Sequence, residues 1–250
     1  MAIPNQPNNS AKSLLTPSWV PLGDAIMDYY NGDINATICI KSTIEGDRVV
    51  PVGTFFREKD QFPKIEKDAF KYCKGKTLDV GAGGGPHALY LQKKGLDITG
   101  LDISDKAVEV MQKRGLNAVC ASIFEYHDSS FDTILMMMNG IGVAGELSAL
   151  GILLRHLKSI LKPGGQILFD STDIDYVTSF DRALSTLRIP FPEYYGIVHY
   201  QLEYKDKKGE IYPWLFIDKK TMKRIAEENG YQFSVLKSRS SQYLGRLTMR

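Results

Sequence analysis

Leu78-Asp79-Val80-Gly81-Ala82-Gly83-Gly84-Gly85-Pro86-His87 is the stretch on which the fold turns. Thr77–Val80 reads as a short buried strand, and the apolar spacing over His87–Lys94 reads as a helix. Between them, glycines at 81, 83 and 85 let the backbone turn sharply and approach a ligand with no Cβ in the way. A strand that feeds a helix through such a turn is the start of a parallel βαβ unit.

Working outward, the alternation continues downstream. Strand candidates at Ile98–Leu101, Ala118–Cys120, Thr133–Met137 and Gln166–Asp170 are interleaved with helical patterns at Asp105–Arg114 and Leu147–Leu161. Leu150, Leu153, Leu154 and Leu157 keep the three-to-four spacing of one buried helix face. Repeated strand and helix predict right-handed crossovers and an α/β, doubly wound, mostly parallel sheet covered on both faces. Beyond Asp170 the pattern changes. Ile197–Tyr204 and Glu210–Phe216 flank the polar tip Lys205–Gly209, a hairpin signal. A helix over Lys219–Glu228, capped by Asp218 and stopped by Asn229-Gly230, precedes a second hairpin, Tyr231–Lys237 with Tyr243–Thr248.

Upstream, residues 1–20 are rich in Asn, Pro and Ser and read as a flexible arm. Residues 21–72 read as an N-terminal cover segment, with helices near Asp24–Tyr30 and Ile65–Tyr72 and β-prone pieces at Thr37–Ile40 and Val49–Val52. The main domain then spans 73–250, with a hairpin insertion, a lid, at about 197–216.

Two glycine turns compete for the quoted stretch. A dinucleotide turn requires Gly-x-Gly-x-x-Gly; counted from Gly81 the last position is Pro86, and counted from Gly83 it is Ala88. The other pattern, acidic-x-Gly-x-Gly-x-Gly, is met by Asp79, Gly81, Gly83 and Gly85. An acid at that place repels a pyrophosphate and attracts a sulfonium or an α-ammonium group. Asp102, 21 residues after Gly81, ends the second strand, where a carboxylate accepts the hydroxyls of a ribose in either cofactor. The plain alternatives are a tight turn without a ligand and a helix-start acid.

Leu78–His87, Leu101-Asp102-Ile103, Phe131-Asp132-Thr133-Ile134-Leu135 and Leu161-Lys162-Pro163-Gly164-Gly165-Gln166-Ile167-Leu168 together resemble the class I, Rossmann-like, S-adenosylmethionine-dependent methyltransferases. The resemblance covers about residues 73–170 and extends more weakly to the C-terminus. It implies a seven-stranded sheet whose last strand is antiparallel, and S-adenosylmethionine as cofactor with S-adenosylhomocysteine as product. It places Asp79 near the methionine ammonium, Gly81, Ala82, Gly83 and Gly85 along the methionine and sugar, Asp102 on the ribose and Ile103 against the adenine. Ser122 and Ile123 fall where the family contacts the adenine edge, although serine replaces the usual acid. Asn139 follows the fourth strand near the transferred methyl, but Asn139-Gly140-Ile141-Gly142 departs from the Asn-Pro-Pro-aromatic of the amino-methylating subgroup. His87 and Arg57 are candidates for the methionine carboxylate. Asn139, His199 and Asp173 are the weak candidates for a catalytic role. Tyr29, Tyr30, Tyr194, Tyr195 and Trp214 are candidates for the acceptor wall.

Bulk properties constrain the partner. The chain has 250 residues, 43% hydrophobic and 24% charged, with a net charge of +2, so no global field asks for nucleic acid or membrane. Two lysine clusters, 205–208 and 219–224, lack interleaved aromatics and read as solvated faces. Cys39, Cys73 and Cys120 have no metal-ligand spacing, read as small buried or half-buried thiols, and no metal is expected. No run reaches the ~20 apolar residues of a membrane helix, and a cytoplasmic enzyme is expected. The reading is methyl transfer to a small molecule. The alternatives are methylation of RNA or protein, a non-catalytic S-adenosylmethionine-binding module, and a nicotinamide-dependent oxidoreductase. The oligomeric state is not legible.

Overall fold

In the computed structural model, which describes residues 14–128, 130–175 and 194–250, the chain builds two sheets, one stacked over the strand ends of the other. The elements before the glycine turn are β1 (Leu14–Thr16), α1 (Val20–Tyr30), β2 (Thr37–Ser42), β3 (Gly46–Pro51) and α2 (Lys64–Phe70). Then come β4 (Thr77–Val80), α3 (Pro86–Lys93), β5 (Ile98–Asp102), α4 (Asp105–Lys113), β6 (Asn117–Cys120), β7 (Phe131–Met136), α5 (Leu147–Ile160) and β8 (Leu161–Thr172). After the gap follow β9 (Ile197–Tyr204), β10 (Lys207–Gly209), β11 (Tyr212–Leu215), α6 (Lys219–Glu228), β12 (Tyr231–Arg239) and β13 (Gln242–Met249).

The larger sheet has the order β12-β13-β8-β7-β4-β5-β6. Its strands from β8 to β6 are parallel, and β13 runs antiparallel to both β8 and β12, as expected of the fold. All four residues of β4 are buried, as a central strand covered on both faces requires. On one face lie α5 and α6, through Leu150, Leu153, Leu154, Leu157, Met222 and Ile225. On the other lie α2, α3 and α4, through Ile65, Leu91, Val108 and Met111. Among the described residues no helix is long and apolar enough to cross a membrane.

The smaller sheet differs from expectation. Its order is β1-β10-β9-β2-β3, with β11 also on β9. The cover segment and the hairpin insertion are therefore not two lids but one roof: β2 pairs antiparallel with β9, from Cys39 opposite Glu203 to Ser42 opposite Tyr200. The expected polar tip Lys205–Gly209 is a turn only at Lys205-Asp206, because Lys207–Gly209 is captured as β10 between β9 and β1, and the expected strand Glu210–Phe216 shortens to β11. That capture also corrects the arm: Leu14–Thr16 is a strand, Glu210 N donates to Thr16 O at 2.8 Å, and residues 1–13 lie outside the described residues. Cys120, expected to be at least half-buried, is exposed on the outer strand β6.

Charge holds the roof to the main domain. Asp24 on α1 is 8% exposed and is gripped by Lys106 from α4 and Lys207 from β10. Burial works against its ionisation, but the two lysines hold its carboxyl below the usual range. Asp28, one turn on, accepts from Lys205 Nζ at 2.5 Å and from Tyr204 Oη at 2.9 Å. Glycine admits the roof on the other side: a Cβ on Gly142 would overlap the Trp214 indole and lie 2.8 Å from Leu215 O.

Gly142→Ala is expected to destabilise the fold by about 1–3 kcal/mol, the usual cost of overpacking a fitted contact. Thermal unfolding would register this as a melting point several degrees lower. An unchanged melting point would mean that β11 moves away from the main domain at no cost.

Candidate functional site

A cavity of about 310 Å³ lies between the C-terminal ends of β4, β5 and β7 and the underside of the roof. Its floor is the glycine turn. Gly81, Gly83 and Gly85 have φ of 68°, 56° and 79°, which side chains with a Cβ rarely adopt. Gly81 N and Ala82 N donate to Leu101 O at 2.8 and 3.1 Å, tying the turn to β5. Gly83 N donates to Asp102 Oδ2 at 2.8 Å, and Ser104 N donates to Asp102 Oδ1 at 2.9 Å. Asp102 thus fixes the loop that it borders. Burial pushes its carboxyl up while those amides oppose the rise, and each oxygen keeps lone pairs for a further donor.

Asp79 is 1% exposed, and burial pushes its pKa up to about 6. Its Oδ2 has no hydrogen-bond partner although it lies in the cavity wall. A buried unpaired carboxylate oxygen costs free energy and marks a place built for a cation or donor. Close by, Glu66 on α2 joins two candidate residues: Arg57 Nη2 reaches its oxygens at 3.1 and 3.3 Å, and His87 Nε2 lies 2.9 Å from Oε2. Arg57 Nη2 also lies 3.3 Å from Met138 Sδ, and its buried Nε has no partner.

After β7, Met138 and Asn139 are consecutive left-handed residues, with φ of 61° and 58°. Such strain persists where surrounding bonds impose it. Here Asn139 N donates to Asp170 Oδ1 at 2.9 Å, Asn139 Nδ2 to Leu215 O at 3.1 Å, and Trp214 Nε1 to Asn139 O at 3.0 Å. Burial pushes Asp170 up to about 6. The Asn139 Oδ1 that remains is buried and unpartnered.

Of the residues singled out by sequence, Asp79, Gly81, Ala82, Gly83, His87, Asp102 and Asn139 line the cavity. Gly85 instead caps α3 against Met111 and Leu116, and Arg57 does not line the cavity but borders it through Met138 and, by way of Glu66, His87. Ile103 is 43% exposed, Ser122 Oγ accepts from Phe124 N at 3.3 Å, and the Ile123 side chain belongs to the core. His199 is a correction. Tyr200 and Leu202 on β9 face the cavity, so period-two alternation turns His199 to the opposite side of the roof. Asp173 is also corrected: it accepts from Tyr195 Oη at 2.8 Å and does not line the cavity. Of the five aromatic wall candidates only Trp214 lines it; Tyr29 packs tilted against Phe56, with ring centroids 4.5 Å apart, and Tyr194 donates to Asp218. Sequence reading missed Ile38, Ile40, Arg48, Tyr200, Leu202 and Tyr212, all on one face of the roof. The available signal was the alternation Tyr200-x-Leu202 against Tyr212-x-Trp214-x-Phe216.

A family model described as a methyltransferase domain matches residues 78–169. The chain is 36% identical to an S-adenosylmethionine-dependent methyltransferase from Bacteroides fragilis, solved in complex with S-adenosyl-L-homocysteine. The match covers 96% of this chain and 99% of that one, with a TM-score of 0.83. It is 31% identical over 106 residues to a ubiquinone biosynthesis O-methyltransferase of Paracidovorax citrulli, covering 38% of this chain and 43% of that protein. It is 29% identical over 90 residues to a 23S rRNA (uracil(747)-C(5))-methyltransferase of Pyrococcus horikoshii, covering 34% of this chain and 22% of that protein. The chain therefore spans less than half the length of these curated relatives.

The raised carboxyl of Asp79 gives a pH test. A carboxyl whose pKa is raised by folding holds its proton more tightly in the folded chain, so its ionisation costs stability. That cost is absent below its ordinary value of 3.8 and complete above about 6. Asp79→Asn is therefore expected to raise the melting point, relative to wild type, more at about pH 7.5 than at about pH 4. An equal change at both values would mean that Asp79 does not titrate in this window.

Proposed function

Because the chain belongs to the S-adenosylmethionine-dependent methyltransferases, we propose that it binds S-adenosylmethionine over the Gly81–Gly85 turn and methylates a small molecule held under the roof. The observation that carries this reading is the unpartnered Oδ2 of Asp79 in the cavity wall. An α-ammonium group supplies the donor and the positive charge that this oxygen lacks. Asp102 has lone pairs left for ribose hydroxyls, and the unpartnered Nε of Arg57 can turn toward a carboxylate beside His87. The residues present thus fit the cofactor, and the solved Bacteroides fragilis relative supports the same assignment through its bound S-adenosyl-L-homocysteine. A dinucleotide fits less well, because the buried carboxyl of Asp79 would meet its pyrophosphate.

When bound, the cofactor supplies a methyl group on a positively charged sulfur: an acceptor lone pair forms the new bond, and the carbon–sulfur pair stays on sulfur. The chain's own contribution is alignment and exclusion of water. Asn139, fixed at three points, orients the acceptor end of the cavity. The roof closes that end to a modest volume, which favours a small acceptor over a polymer. The lysines at 205, 207 and 208, which would have to meet RNA, are paired with Asp28, Asp24 and Glu203.

Calorimetric titration with S-adenosylmethionine, S-adenosylhomocysteine and NAD tests the reading. The first two are expected to bind and NAD not, with Asp102→Ala weakening both by at least roughly ten-fold, the value of a hydrogen bond to a charged group. Binding of NAD alone would overturn it.

A further inference from the structure

Building on that reading, we propose that the methyl acceptor is a planar aromatic acid, with its ring against Tyr200, Tyr212 and Trp214, its anionic group at Arg48 and an O–H or N–H presented to Asn139. Strand register sets this arrangement. Arg48 on β3 stands opposite Ile40 on β2, and Ile40 stands opposite Leu202 on β9, so the three share one row on the cavity face. The adjoining row sets Tyr200 opposite Tyr212, with ring centroids 6.1 Å apart. Trp214 follows, edge-on to Tyr212 at 6.2 Å. A wall of three aromatic rings flanked by isoleucine and leucine stacks a flat, apolar body, and the period of two turns Lys41, Gln201 and Glu203 to the opposite face.

Charge then fixes which way the molecule lies. On the roof side of the cavity, among the described residues, Arg48 is the one charged side chain. The floor carries Asp79 and Asp102. An acidic substituent is drawn to Arg48, which points the opposite end of the ring inward. Arg48 is paired with Glu45 at 2.9 Å, but the two side chains are 54% and 50% exposed, and an exposed pair of this kind exchanges readily for a ligand carboxylate. A guanidinium matches a planar carboxylate through two parallel bonds.

The inward end meets Asn139. Its amide orientation is not arbitrary, since Leu215 O can only accept and so faces Nδ2. Oδ1 is therefore a buried acceptor without a donor. A hydroxyl or amino hydrogen on the acceptor satisfies it; the lone pair of that atom forms the bond to the methyl carbon as the methyl–sulfur pair stays on sulfur, and the hydrogen leaves to solvent as a proton, since an amide oxygen orients it without removing it.

The test is calorimetry on the chain saturated with S-adenosylhomocysteine. The probes are 4-hydroxybenzoate and 4-aminobenzoate, their benzamide counterparts, and cyclohexanecarboxylate. The aromatic acids are expected to bind roughly ten-fold or more tighter than the amides, as a charge-assisted pair allows, and tighter than the non-aromatic acid. Arg48→Gln should remove the preference for acid over amide, Arg48→Lys should retain part of it, and Glu45→Gln should tighten the acids by removing their competitor. S-adenosylhomocysteine affinity should stay constant in all three variants. Amides that bind as well as acids, a preference that survives Arg48→Gln, or no aromatic acid bound by a chain that still takes up S-adenosylhomocysteine would each overturn the proposal. Failure to take up S-adenosylhomocysteine would instead overturn the cofactor reading beneath it.

Discussion

The antiparallel ladder between β2 and β9 joins a strand that precedes the parallel sheet to one that follows its fifth strand. Each strand has an edge whose backbone groups the other satisfies. Once zipped, the two present Ile38, Ile40, Tyr200 and Leu202 to the same cavity. The upper half of the cavity presumes this join. The Asp24 ion pairs act on a roof that already exists, and Gly142 gives room to a strand that the ladder has already positioned.

Beneath the roof the balance of charge is unusual for a protein interior. Glu66, Asp79 and Asp170 are all buried, while Arg57 and His87 both gather on Glu66. Two carboxyls are thus left to be met by amides, by Gln242 or by nothing. Buried anions without partners are expensive. Sequence and fold disagree locally at such positions when a site, rather than stability, has set the residue. The consecutive left-handed residues Met138 and Asn139 are a second instance of the same kind.

How much of this was legible follows from the range of each interaction. The floor was legible because it is local: a strand, a glycine turn and an acid at β4, then Asp102 at the end of β5, all lie within about one βαβ unit. The antiparallel β13 was legible through the Tyr231–Thr248 hairpin, whose two strands are neighbours in sequence. The roof was not. Its hairpin was visible, but nothing in the sequence near Thr37–Ile40 announces that the partner of that strand lies beyond residue 197. His199 was misjudged for a related reason: without the β2–β9 register, which face of β9 points inward is undetermined. Glu66 escaped notice because a glutamate on a short amphipathic helix ordinarily faces solvent, whereas α2 turns this one inward.

That same ladder has a consequence for a chain emerging from the ribosome. Cys39 and Glu203, opposite one another in the roof, are made far apart in time. Until β9 is synthesised, β2 and β3 form a two-stranded ribbon with an open edge and an uncovered apolar face, which is marginal in water and a template for wrong pairing. The floor, built from near neighbours, can order first, whereas closing the roof waits on a long loop and is slow for that reason. The nascent protein therefore passes through an interval in which the glycine-turn floor is formed but open, and in which the early hairpin needs shielding from other chains.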